Sequence, residues 1–108
     1  MIALNNQYDI PDYPIRILHL EDSEPDHHLA CRALTSAGVK FEIRRVDSLS
    51  LFCDLAEGCA YHVILADYRL PGFTAIDAWN ALAQRHAPPP FVLLSGTIGE
   101  SAAVAAIH

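Results

Sequence analysis

A chain of 108 residues carries 13 acidic and 7 basic residues, a formal net charge of -6 and a hydrophobic fraction of 52%. It holds one small domain with enough apolar sequence for a core. With Lys40 as its single lysine, it is too acidic to bind nucleic acid by neutralising phosphates. No apolar run approaches a membrane span, and Met1 to Pro14 lacks a basic-then-apolar signal pattern. Cys31, Cys53 and Cys59 show no metal-ligand spacing and read as free thiols of a reducing cytoplasm. Secreted disulfide scaffolds, membrane proteins and basic nucleic-acid binders are thereby excluded.

Met1 to Pro14 is polar, aperiodic and carries Pro11 and Pro14, so it reads as a leader or linker ahead of a domain spanning 15–108. Ile15 to Leu20 is a short apolar run that stops at Glu21-Asp22, as a buried strand does. Ser23, followed by Pro25 and Asp26, is a helix start. Leu29, Ala33, Leu34 and Ala37 then recur at helical spacing until Gly38. Phe41 to Val46 predicts a second strand, and Ser48 opens a helix burying Leu51, Phe52, Leu55 and Cys59. Val63 to Ala66 is a continuous apolar strand covered on both faces, ending at Asp67. Thr74 to about Arg85 predicts a third helix, packed through Ile76, Trp79 and Leu82 and stopped by Pro88-Pro89-Pro90. Phe91 to Leu94 is a fourth strand ending at Ser95-Gly96, and Glu100 to Ile107 predicts the start of a fourth helix.

Strand and helix alternating through four passes imply an open parallel sheet with right-handed crossovers and helices on both faces. Chemistry in such sheets gathers beyond the carboxyl ends of the strands. The first polar residues there are Glu21 and Asp22, Asp67, and Ser95. Carboxylates converging on one crevice repel each other unless a cation lies between them, and an oxygen-only set suits Mg²⁺ better than zinc. One carboxylate with an outward oxygen could attack phosphorus to give an aspartyl phosphate, while the Ser95 hydroxyl donates to a phosphoryl oxygen.

Glu21-Asp22, Asp67-Tyr68-Arg69-Leu70-Pro71-Gly72 and Leu94-Ser95-Gly96-Thr97 together resemble the receiver domain of two-component response regulators, a likeness that runs from Ile15 to His108. The resemblance implies a three-layer α/β/α, flavodoxin-like fold with parallel sheet order 2-1-3-4, its fifth strand and last helix missing. It implies a non-enzymatic, cytoplasmic phosphorelay module in which Asp67 accepts a phosphoryl group from a histidine kinase or phosphotransfer protein. Asp22, Asp67 and the backbone carbonyl of Arg69 would hold Mg²⁺, with Glu21 acting through a coordinated water. Ser95 would move toward the phosphoryl group. An output domain beyond the C-terminus is a further expected partner.

In the family a lysine ends the fifth strand, and in this chain that position falls beyond His108. Lys40, between helix one and strand two, cannot replace it, so weak or absent phosphorylation is expected from the 108-residue form. Ala75 is a milder departure, at a position where the family often has glycine. Without a fifth strand, Phe91 to Leu94 is expected to form an open apolar edge, and helix one a bare face. That predicts either a shortened form of a longer protein or a homodimer pairing through that edge. The alternative functional reading is a pseudo-receiver, an interaction module that is never phosphorylated. An aspartate-nucleophile phosphohydrolase is disfavoured because Arg69 stands where such enzymes place a general acid. His19 reads as a core histidine with a satisfied ring nitrogen, and His27-His28 as a solvated pair, since adjacent helical residues diverge by about 100°.

Overall fold

The computed structural model of the chain describes residues 12–58, 60–85, 88–95 and 103–107. The elements in chain order are β1 (Ile15–Leu20), α1 (Glu24–Ser36), β2 (Phe41–Val46), α2 (Leu49–Ala56) and β3 (Val63–Asp67), then β4 (Arg69–Leu70), β5 (Phe73–Thr74), α3 (Ala75–Ala83), β6 (Phe91–Ser95) and β7 (Ala103–Ile107). The main sheet runs β2-β1-β3-β6-β7. Its first four strands are parallel, and with the flanking helices they form the expected flavodoxin-like sheet.

Each helix begins where a side chain satisfies a free backbone donor. Ser23 accepts from the Asp26 N–H at 3.3 Å and Ser48 from the Leu51 N–H at 3.2 Å. Thr74 and Asp77 form a reciprocal capping box, in which the Asp77 carboxylate accepts from the Thr74 N–H at 2.9 Å. The main core lies on one side of the sheet, where Leu18, Leu20, Ile64 and Phe91 meet Phe52 of α2 and Ala78 and Leu82 of α3. Trp79 is half-buried and stands edge-on to Phe91, ring centroids 5.7 Å apart.

Three helix faces differ from the spacing-based expectation. Ala30 is the buried residue of α1; Leu29 and Leu34 are half-buried, while Ala33 and Ala37 are exposed. In α2, Phe52 and Ala56 point inward and Leu51 is exposed. In α3 the inward residues are Ala75, Ala78 and Leu82, and Ile76 is exposed. The buried stripe contains small alanines because the helices lie close against the sheet, and hydrophobicity alone does not distinguish such a stripe from its larger neighbours. Cys59 lies outside the described residues.

The largest correction concerns the end of the chain. Ala103 to Ile107 is a strand, not a helix, and pairs antiparallel with β6 from Phe91↔Ile107 to Ser95↔Ala103. Its alanines favour a helix, but a segment this short gains little from helix formation alone. Pairing instead satisfies the backbone groups along β6. The few residues between Ser95 and Ala103 are too short for a parallel crossover, which fixes the antiparallel sense. The β6 edge, expected to be open and to recruit a second copy, is therefore occupied from within the chain.

Candidate functional site

Parallel register brings the strand ends together. Leu20 of β1 is level with Val46 of β2 and Ala66 of β3, and Asp67 is level with Leu94 of β6. Glu21 continues the β1 ladder, its N–H donating to the Val46 carbonyl at 3.0 Å. The chain then turns into α1 at Ser23, so Glu21, Asp22 and Asp67 meet at one end of the sheet beside the positive end of that helix. One carboxylate oxygen from each residue lies within 4.8 Å of the other two.

The three carboxylates have different surroundings. Glu21 is buried, 1% exposed, while Asp22 is exposed and Asp67 half-buried. Burial pushes Glu21 up to about 7, opposed by the Ser23 N–H that donates to its Oε2 at 3.3 Å, with Asp67, Asp26 and Asp22 adding to the rise. Asp67 is also raised, by burial first, against the Tyr68 N–H that donates to its Oδ1 at 2.9 Å, with Asp22 and Asp26 adding repulsion. The cluster thus holds more negative charge than its protein surroundings compensate. An all-oxygen donor set with uncompensated charge fits a hard cation.

Arg69 opens a short hairpin in which it pairs with Thr74 and Leu70 pairs with Phe73, across Pro71-Gly72. Gly72 has φ +82°, which glycine adopts without the strain a side chain would bring, as the second central residue of a type II turn does. This hairpin and a hydrogen bond from the Ala75 N–H to the Tyr68 carbonyl, 3.0 Å, fix the loop that follows Asp67. Ser95 ends β6, one residue past the level of Asp67. Its hydroxyl, the Arg69 side chain and Gly96-Thr97 lie outside the described parts of the structure.

Two contributors are not apparent from motif spacing. The β4–β5 hairpin is one, although Pro71-Gly72 signals its turn. The other is Arg45 of β2, whose guanidinium donates to the Glu21 carbonyl at 3.2 Å and pairs with Glu24 at 3.4 Å. Only the β1–β2 register, with His19 opposite Arg45, reveals its proximity. Lys40 lies at the opposite end of the sheet, where its carbonyl accepts from the Ile15 N–H and its ammonium is 3.4 Å from Asp12. It is no substitute for a cation at the acidic cluster.

His19 is the expected core histidine with one ring nitrogen satisfied, whereas His27 differs from the sequence reading. Buried His19 has its Nδ1 2.9 Å from Nδ1 of His27, so His27 belongs to a contact with β1 and is not half of a solvated pair. Burial, with the nearby His27 and Arg45, lowers the His19 pKa to about 4.

No model of a known protein family matches the chain, and no curated protein sequence matches it. Among solved structures, the chain is similar to the NMR structure of the pseudo-receiver domain of the CikA protein, with 25% sequence identity and a TM-score of 0.59, covering 76% of this chain and 70% of that one. Sheet order, helix placement and this likeness make the chain a receiver-like domain. Among the described residues, no helix is long and apolar enough to cross a membrane.

Proposed function

We propose that this chain is a phosphorylatable signalling receiver, with Asp67 as its phosphoacceptor and a histidine kinase or phosphotransfer protein as its donor. The observation that carries the reading is the convergence of Glu21, Asp22 and Asp67, with oxygens within 4.8 Å, at the carboxyl ends of β1 and β3. Asp22, Asp67 and the Arg69 carbonyl would hold Mg²⁺, with Glu21 acting through a bound water. The ion's contribution is to offset the carboxylate charge and that of the incoming phosphoryl group.

Asp67 is the nucleophile in this reading. The Tyr68 N–H holds its Oδ1, which orients Oδ2 toward an incoming phosphorus. An Oδ2–P bond forms as the donor's N–P bond breaks, and the released imidazole retains the bonding electron pair and takes up a proton. Ser95, next to the level of Asp67, donates to a phosphoryl oxygen. Output follows from a population shift in the β6-side surface. Receiver domains are generally not enzymes, and the role proposed here is that of a switch.

A second reading, an unphosphorylated interaction module, is favoured by the similarity to a pseudo-receiver domain. Mg²⁺ titration followed by thermal unfolding addresses the first reading. The ion should raise Tm in the parent chain and have little effect in Asp22→Asn or Asp67→Asn. Equal Mg²⁺ effects in all three would remove the support the cluster gives to phosphorylation.

A further inference from the structure

We propose that β2 is a self-association edge, pairing antiparallel with β2 of a second copy of the chain about a two-fold axis at Ile43. β2 and β7 are the terminal strands of the main sheet, and β2 is the one that carries charges of both signs. The direction of its free backbone groups follows from the β1 ladder. The Ile15 N–H donates to the Lys40 carbonyl at 2.9 Å, and the Glu21 N–H to the Val46 carbonyl at 3.0 Å. In a parallel pair alternate residues bond the neighbouring strand, so the backbone groups of Glu42 and Arg44 also face β1. Phe41, Ile43 and Arg45 therefore direct their N–H and C=O groups outward, as a row of donors and acceptors open to another strand.

The side chains along this row select the occupant. Glu42 and Arg44 are exposed, two residues apart and on one face of the strand. Among the described residues neither forms an ion pair. Arg45 engages Glu24 at 3.4 Å and Asp47 at 3.9 Å, while Arg16, level with Glu42 on β1, donates to the Ala60 carbonyl. A two-fold axis at Ile43 sets Glu42 opposite Arg44 of the second copy, and Arg44 opposite its Glu42. Ile43 then meets Ile43, and Phe41 meets Arg45, as hydrogen-bonded pairs that satisfy the outward row. Sliding by two residues either way would set Glu42 opposite Glu42, or Arg44 opposite Arg44. Edge charges ordinarily oppose pairing, but these two favour one register and reject its neighbours. A cleft of about 210 Å³ beside the edge, lined by Arg16, Glu42, Ile43, Arg44, Ala60 and Tyr61, leaves room for the incoming side chains.

Sedimentation velocity of the full chain over a dilution series tests the proposal. The parent and Asp67→Asn, a change outside the interface, should both form a dimer that weakens as salt rises. Glu42→Arg and Arg44→Glu each set like charges opposite one another and should weaken it by about 10-fold or more. An equimolar mixture of these two variants should associate again, as should the chain carrying both substitutions, because opposite charges then face each other. Ile43→Pro removes an outward N–H without touching the β1 ladder and should be monomeric. Circular dichroism confirms that each variant is folded; if Ile43→Pro is not, the charge variants decide. A monomeric parent chain, which would leave the edge to a strand of another protein, would overturn the assignment. So would a dimer that survives in both single charge variants, or a mixture of the two that stays monomeric.

Discussion

Asp67 stands opposite Leu94 in the parallel register of β3 and β6, which sets Ser95 one residue beyond the level of the proposed phosphoacceptor. The same sheet brings Asp67 to Glu21 and Asp22 from the end of β1. Strand pairing therefore positions groups that lie far apart in sequence, while the local turns determine which oxygens remain available.

The raised pKa of Glu21 gives stability a definite pH dependence. Its carboxyl titrates near the ordinary value of 4.5 when unfolded and at about 7 when folded, so the folded state binds more protons between those values. The Glu21 contribution to stability is fully present below about 4.5 and is lost as pH rises through about 7, by on the order of 1–3 kcal/mol. Raised Asp67 acts in the same direction. His19, held down to about 4, acts in the opposite sense and costs stability as pH falls from 6.5 toward 4. Urea unfolding at pH 5 and pH 8 in metal-free buffer isolates the Glu21 part by comparison: the difference in stability between the parent chain and Glu21→Gln should shift against the parent at pH 8.

Asp67→Asn should stabilise the metal-free domain, because it removes one of three crowded carboxylates and lets Glu21 ionise more easily. The expected readout is a higher Tm than the parent without Mg²⁺ and a smaller difference with it. A lower metal-free Tm would show that the carboxylate makes compensating contacts.

Packing predicts a sharp contrast between adjacent residues of α2. Phe52 is 1% exposed and Leu51 is 37% exposed. Phe52→Ala should cost about 3–5 kcal/mol by leaving a cavity beneath the sheet. Leu51→Ala should cost less than about 1 kcal/mol. Urea midpoints followed by Trp79 fluorescence report both.

The Thr74–Asp77 capping box predicts that Thr74→Ala costs about 1 kcal/mol, since it removes the side-chain acceptor for the Asp77 N–H. The β4–β5 hairpin places this cap close in sequence to Asp67. The same variant should therefore reduce Mg²⁺ affinity as well as the urea midpoint.

The parallel strands and acidic cluster are legible because buried strands read as apolar runs and the site residues follow them immediately. Ser23, Ser48 and Thr74 likewise announce their helices through local hydrogen-bonding chemistry. Less legible are contacts set by register and packing distance. Arg45 reaches Glu21 only after β2 pairs with β1, and Ala78 is buried where a larger residue such as Ile76 is the stronger sequence signal. Ala103 to Ile107 has the composition of a helix, but the available edge of β6 selects a strand. That outcome depends on a neighbour distant in pattern, so local propensity does not reveal it.

Intact-mass measurement after incubation with Mg²⁺ and acetyl phosphate, beside Asp67→Asn, tests the central claim most directly. The account predicts a single phosphoryl adduct on the parent chain that requires Mg²⁺ and is absent from Asp67→Asn. An adduct that persists in Asp67→Asn would contradict Asp67 as phosphoacceptor, and an unmodified parent chain would favour the interaction-module reading.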